Sequence, residues 1–237
     1  MKFEKTPTVA YLLFLPLLIT LGIWQLGRAE EKRLFLEKQI QGLASSQVID
    51  LSIVTETNVD TLRYKKVKLS GHYDVTHQFL IDNQIVVGKV GYFVLTPFIL
   101  QETNKAVLVN RGWVALPQDR VVLPDVRLKN LPTVLKGRIN NFPAVGIKLK
   151  GAEIPTSTWP SVVQVVDSQV LAEKLTYPLL PFQVELDKDQ PEGYTRDWQA
   201  NTIMLPEQHT AYAMQWFALA VTLTLLFLGY SFKRKND

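Results

Sequence analysis

The 237-residue sequence contains no cysteine, and histidine is nearly as scarce, with three residues. The absence of cysteine excludes disulfide bonds, thiolate metal sites, covalent attachment of a c-type haem and cysteine nucleophiles. The sequence also lacks a His-x-x-x-His pair, a dense carboxylate cluster and the serine motifs G-x-S-x-G and S-x-x-K. It therefore offers no positive case for an enzyme.

Charged residues are missing from two long stretches. One has 22 residues between Lys5 and Arg28, and the other has 23 residues between His209 and Lys233. A helix needs about 20 apolar residues to cross the hydrocarbon core of a bilayer. The first run is too long for a signal peptide, and no A-x-A-like cleavage site follows it. The sequence therefore predicts transmembrane helices at residues 6–27 and 209–232 and makes the lipid bilayer a partner.

The net charge of +4 lies mostly at the two ends of the chain. Residues 1–27 and 210–237 hold five basic and two acidic residues, which leaves residues 28–209 with only +1. That segment has no basic stripe interleaved with aromatic residues, so nucleic acid is excluded as a partner. Under the positive-inside rule, the tails at residues 1–5 and 233–237 are predicted to be cytoplasmic. With no organellar presequence visible, we expect a multi-pass protein of a bacterial inner membrane, with residues 28–208 in the periplasm.

The segment between the predicted spans has a mainly β pattern. Residues 29–45 continue the first helix, and about seven short strands follow with Gly, Pro and Asn between them. One amphipathic helix is predicted near residues 167–175. Short strands with turns at short intervals favour an antiparallel barrel or sandwich over βαβ units. The predicted fold is thus two terminal transmembrane helices flanking one mainly β (α+β) extracytoplasmic domain.

Two places in the predicted β domain carry residue types that often have chemical roles. His72 and His77 lie five residues apart on a predicted strand, so their side chains are expected on opposite faces, as satisfied or exposed histidines. Gly112 favours a bulge or a close backbone approach. Its neighbour Arg111 could form a bidentate ion pair, but an exposed arginine on a structural strand is the simpler interpretation.

The start of the second predicted span combines a histidine with aromatic and small residues. Pro206 suits the first helical position. At about 100° per residue, one face of the helix collects five residues, namely His209, Tyr212, Ala213, Trp216 and Ala220. Three interpretations stay open. The face is an interfacial aromatic belt with a solvated histidine, a packing surface for the first span, or a haem site with His209 as axial ligand.

The helix dipole and the polar residues of both predicted spans are relevant to these three interpretations. The positive end of the helix dipole favours the neutral imidazole that ligation requires. Gln25 and Gln215 are expected to form hydrogen bonds between helices, with Gly22, Trp24 and Gln25 at the depth of His209. Arg28 is interpreted as a snorkelling contact to lipid headgroups, with pairing to a haem propionate as the alternative.

Six short motifs, in order along the chain, match a known family. They are Leu21-Gly22-Ile23-Trp24-Gln25 with Arg28 and Lys32; Gly71-His72-Tyr73-Asp74; Gly91-Tyr92 with Thr96-Pro97; Val109-Asn110-Arg111-Gly112-Trp113-Val114; His209 with Tyr212-Ala213; and Gln215-Trp216-Phe217. With these motifs and two anchors, the sequence resembles the surfeit locus protein 1 family of cytochrome c oxidase assembly proteins. It departs from the family at Glu207-Gln208, where asparagine is often found before the histidine.

The resemblance implies a non-enzymatic assembly factor that acts on subunit I of a haem–copper oxidase, alongside haem a synthesis proteins. Bacterial members are associated with haem a, and the resemblance makes His209 the candidate ligand of the haem iron, with Trp216 and Trp24 as neighbours. Tyr212 and Arg28 complete the candidate site. A non-haem scaffold for subunit I remains an alternative, as does an envelope enzyme or transport accessory.

Overall fold

Two long helices form the first of two structural units. The computed structural model describes residues 4–45, 48–51, 59–101, 103–119, 122–144, 148–198 and 204–233. One unit comprises Met1–Lys38 and Ala200–Asp237, and the other comprises Gln39–Gln199. Helix α1 is Lys5–Ala44 and helix α4 is Pro206–Lys233. Both are long and apolar enough to cross a membrane.

The helix boundaries follow local signals in the sequence. Helix α1 continues to Ala44, as the spacing of apolar residues predicted, and accommodates Pro16 in its interior. Proline is tolerated in apolar spans because neighbouring groups can satisfy the freed carbonyl. Helix α4 begins at Pro206, the predicted first position. The Gln208 side chain accepts a hydrogen bond from the backbone N–H of Leu205 at 2.8 Å, as in one half of a capping box.

The second unit contains a barrel-like sheet and two shorter helices. In the described residues its strands are β1 (Ile49–Asp50), β2 (Lys66–Tyr73), β3 (Phe79–Val86), β4 (Lys89–Leu100), β5 (Ala106–Ala115), β6 (Val134–Asn140), β7 (Ser161–Val163) and β8 (Leu179–Leu186). Helix α2 spans Val59–Leu62 and helix α3 spans Ser168–Leu175. The strand order is β1-β2-β6-β8-β5-β4-β3-β7, and a further β2–β4 pairing closes the sheet.

Most neighbouring strands are antiparallel, as predicted, but three pairs are parallel. These pairs are β1–β2, β3–β7 and β5–β8. The parallel β5–β8 pair arises because β8 follows helix α3 and is inserted between β5 and β6. Strand β5 is buried on both faces from Ala106 to Trp113, which explains the apolar run with which it begins, residues 106–109. The prediction of an antiparallel barrel or sandwich is therefore wrong at these three pairs, although a barrel-like sheet is confirmed.

Apolar side chains fill the barrel and the space beneath helix α3. The larger cluster draws alternate residues from β2, β4, β5, β6 and β8, with Phe98 and Phe182 fully buried. A second cluster places Leu171 and Leu175 of helix α3 against Phe79 and Leu108. Helix α3 starts where predicted, because Asp167 accepts hydrogen bonds from two backbone N–H groups of its first turn.

The interpretation of Arg111 as an exposed arginine is wrong. Arg111 is only 1% exposed, and its guanidinium donates to the backbone carbonyls of Glu192 and Val126, each at 2.8 Å. A bulge in β5 is the cause: Phe93 pairs with Trp113 and Leu95 with Asn110, so β5 has one extra residue there. Gly112 lies in this bulge at φ 109°, as its predicted role in a bulge or close approach requires.

Candidate functional site

His209 lies in the first turn of helix α4 and is buried against helix α1. Its side chain is 8% exposed, and its Nδ1 lies 2.7 Å from Oε1 of Gln25. An amide oxygen only accepts hydrogen bonds, so Nδ1 carries the proton and donates it. In the neutral imidazole the other ring nitrogen, Nε2, then carries the lone pair, and the described residues provide no hydrogen-bond partner for it. The contact with Gln25 therefore makes Nε2 the nitrogen of His209 that can bind a metal.

Small residues let the two helices approach each other around this contact. Gly22 lies beneath the ring of Phe217: a Cβ added at Gly22 would be 2.5 Å from Phe217 Cε1. Ala213 and Ala220 on helix α4 are also buried. Without larger side chains between them, the backbones can pack closely. The interpretation of this face as a packing surface for the first span is thus what the structure supports for Gly22 and Gln25.

Further contacts near the opposite ends of the two helices fix the same pairing. The hydroxyl of Tyr11 is 3.3 Å from Oγ1 of Thr224, and its ring stacks on Phe227 with centroids 4.3 Å apart. Gln215 is exposed and, within the described parts of the chain, has no hydrogen-bond partner. Of the two glutamines expected to connect the helices, Gln25 does so.

The aromatic residues of the predicted site lie at the surface of the helix pair. Tyr212 is 46% exposed, Trp24 is 52% exposed and Trp216 is partly buried. The guanidinium of Arg28 lies 5.8 Å from the centre of the Trp24 ring and forms an ion pair with Glu31 at 2.7 Å. The structure thus joins His209 with Gln25 and Trp24 with Arg28. Among the described residues, no hydrogen bond, ion pair or ring contact joins these two pairs to each other or to Tyr212 and Trp216.

A second group of polar residues, which sequence reasoning missed, lies in the β domain around Asp74. The prediction that His72 and His77 share a strand is wrong, because β2 ends at Tyr73 and Asp74 starts a turn, accepting the backbone N–H of Thr76. One carboxylate oxygen of Asp74 accepts from Nδ1 of His77 at 2.6 Å and from the hydroxyl of Tyr177 at 2.8 Å. His77 is therefore satisfied, and His72 is exposed, as expected.

The electrostatics of this group favour a charged carboxylate. Burial acts to raise the pKa of Asp74, but hydrogen bonds from His77, Thr76 and Tyr177 outweigh it and lower the pKa to about 2. Burial and the bond to Asp74 raise the pKa of Tyr177. The ring of His77 packs edge-on against Trp159, with centroids 4.5 Å apart. The group joins the turn after β2 to the segment before β8, which is a structural role; the only signal in the sequence was an aspartate three residues before a histidine.

Comparison with known proteins identifies the family. The SURF1 family model matches residues 12–221. A SURF1-like protein of Rickettsia bellii is 29% identical, over 97% of this chain and 91% of its own length. Surfeit locus protein 1 of Arabidopsis thaliana is 26% identical, over 91% of this chain and 75% of its own. The cytochrome oxidase assembly protein SHY1 of Saccharomyces cerevisiae is 28% identical, over 53% of this chain and 32% of its own. The resemblance predicted from the six motifs is confirmed, and the chain belongs to the SURF1 family.

Proposed function

We propose that this protein is a non-enzymatic assembly factor for cytochrome c oxidase that binds haem a through His209. The assembly role rests on family membership and on a relative named for cytochrome oxidase assembly. The haem role rests on one observation: His209 is buried in the helix pair with Nδ1 bound to Gln25, so that Nε2 has its lone pair available. A neutral imidazole nitrogen is the usual proximal ligand of haem iron.

The set of available donors favours haem over a bare metal ion. A structural or catalytic zinc site takes three or four protein ligands. Within the described residues, no group of three His, Cys, Asp or Glu side chains converges. Haem brings four nitrogen ligands of its own and needs one or two from the protein. A single histidine beside exposed aromatic rings would therefore be sufficient, and His209 would hold the iron through Nε2.

The neighbours of His209 would hold the flat, partly apolar group in place. Tyr212 follows His209 by one turn of helix α4, and Trp216 lies one turn further on, so their rings offer apolar surface along the same face. Trp24 of helix α1 is also exposed and would add a third ring. Arg28, at present paired with Glu31, is half-exposed and would exchange that pair for a propionate.

The two apolar helices support a location in the membrane. Leucines that face outward from the pair, Leu12, Leu13, Leu225 and Leu226, are exposed and suit lipid. With basic residues in both tails, we place both termini in the cytoplasm of a bacterial inner-membrane protein and the β domain in the periplasm. The client is subunit I of the oxidase, with the proteins that make haem a as suppliers.

A scaffold without haem is the second candidate function. The bond between Gln25 and His209 and the Gly22–Phe217 contact would also stabilise a helix pair that only holds subunit I. In that case His209 contributes through packing and its hydrogen bond. The two functions predict different effects of removing the imidazole.

Purification from cells that make haem a separates the two functions. The full chain in detergent should show a Soret band and bound haem a, and His209→Ala should lose both. His72→Ala is the matched control, because His72 is exposed on strand β2, and it should keep the wild-type spectrum. An unchanged spectrum and haem content in His209→Ala would refute ligation. Oxidase activity restored by that variant in cells lacking the gene would then support the scaffold.

A further inference from the structure

We infer that Gln25 sets the tautomer of His209, and thereby makes Nε2 the nitrogen that meets a ligand. This inference rests on the proposed function for the identity of the ligand, haem iron, but its structural half concerns the protein alone. Gln25 acts as a positioning residue, since it touches His209 and not the iron. The first-span and second-span motifs, 184 residues apart, meet in this one hydrogen bond.

Geometry supports the assignment. The distance from Nδ1 to Oε1, 2.7 Å, is short for an N–H···O hydrogen bond. A histidine side chain free in water favours the tautomer with the proton on Nε2, which would occupy the nitrogen furthest from the backbone. A fixed acceptor beside Nδ1 reverses that preference. The hydrogen bond is also strong here, because the surrounding low dielectric weakens it less than water would.

The packing around the pair keeps Gln25 in place. One turn before Gln25, Gly22 lies under the Phe217 ring, and one turn after His209, Ala213 is fully buried. Both small residues fix the separation of the helix backbones at the level of the hydrogen bond. Gln25 is half-buried near the end of the first uncharged run, where an acceptor of either kind, an amide or a carboxylate, costs less than at the centre of a span. Its amide oxygen orients the imidazole without adding charge.

Metal-binding histidines commonly donate their second nitrogen to an acceptor that fixes the ring and raises its basicity. Loss of such an acceptor typically lowers metal affinity 10- to 100-fold. We therefore expect Gln25→Leu to lower haem affinity by about 10- to 100-fold. Gln25→Glu keeps an acceptor of the same length at the same place and should retain most of the affinity.

The first test needs no haem. The chain has three histidines, so selective ¹⁵N-histidine labelling of the detergent-solubilised apoprotein gives few signals, and His209→Ala identifies those of His209. We expect the wild type and Gln25→Glu to carry the proton on Nδ1, and Gln25→Leu to shift it largely to Nε2. Gln215→Leu is the matched control, because it removes an exposed glutamine amide from the other span, and it should change nothing.

Haem titration of the wild type, Gln25→Leu, Gln25→Glu and Gln215→Leu completes the test. If the wild type and its variants bind no haem, the proposed function fails, while the tautomer measurement still decides the role of Gln25. An unchanged tautomer in Gln25→Leu overturns the inference, whatever its haem affinity. A changed tautomer with full haem affinity overturns the link between tautomer and ligation. Retained affinity in Gln25→Glu would assign the loss in Gln25→Leu to the missing hydrogen-bond acceptor.

Discussion

Replacing Arg111 by methionine tests whether the buried guanidinium holds the β domain together. Its Nε donates to the carbonyl of Glu192 and its Nη1 to the carbonyl of Val126. Its Nη2 lies 3.5 Å from the Glu192 carboxylate. It therefore ties strand β5 to the segments before β6 and after β8. Methionine has a similar length, so the substitution removes these interactions while largely filling the space.

The expected cost follows from the groups that lose their partners. Two buried carbonyls lose their donors, at about 1–1.5 kcal/mol each. The Glu192 carboxylate keeps the backbone N–H groups of Lys129 and Asn130, at 3.0 and 2.8 Å, and so loses only part of its stabilisation. With the lost ion pair, the free energy of unfolding should fall by about 3–5 kcal/mol. A single domain has about 5–15 kcal/mol in total, so the loss is large.

Urea denaturation of the full chain in detergent measures this loss. Trp113, Trp159 and Trp198 lie in the β domain and report its unfolding by fluorescence. The matched control is Arg127→Met, because Arg127 is exposed and, among the described residues, forms its ion pair with Asp125 alone, and it should leave the midpoint unchanged. If Arg111→Met lowers the free energy of unfolding by less than about 1 kcal/mol, the reasoning from burial is wrong.

Three further predictions address the β domain and the membrane topology. Asp74→Asn should lower the free energy of unfolding by about 1–2 kcal/mol above about pH 4. Because the lowered pKa of Asp74 stabilises the fold only while the carboxylate is ionised, this loss should disappear towards pH 2. Urea denaturation midpoints from about pH 2 to 7 measure it. Gly112→Ala should cost about 2–3 kcal/mol in a urea titration, because φ is 109° and the new Cβ would lie 2.7 Å from the Thr195 carbonyl oxygen. The control is Gly88→Ala, because Gly88 has φ 71° but open space around it, and it should lower the free energy of unfolding by about 1 kcal/mol. Equal losses in Gly88→Ala and Gly112→Ala would contradict the predicted clash at Gly112. In this cysteine-free chain, Val87→Cys, at a position 93% exposed, should react with an impermeant maleimide on intact spheroplasts, whereas Asn236→Cys, in the predicted cytoplasmic tail, should react only after lysis; the reverse pattern would refute the topology.

Much of the architecture could be predicted because its signals are local. The absence of charge marks both long helices, Pro206 marks the start of helix α4 and Asp167 marks the start of helix α3. The failures have non-local causes. The β5 bulge turned Arg111 inward toward Glu192, 81 residues away. The parallel insertion of β8 between β5 and β6 depends on the path of the chain through helix α3, which no strand pattern encodes.

In the candidate site, too, the sequence predicted which residues matter but not which of them are in contact. Gln25 and His209 were each identified from the sequence as polar residues at a predicted membrane span, but their hydrogen bond depends on the rotation of one helix against the other. Gly22 and Ala213 fix that rotation by removing side chains from the contact, so the small residues select which polar groups meet. Glu207, where the family often has asparagine, is exposed in the first turn of helix α4, where a negative charge stabilises the helix dipole. The presence of glutamate at position 207 therefore does not disturb the Gln25–His209 hydrogen bond. The orientation of His209 depends instead on the residues buried between the two helices.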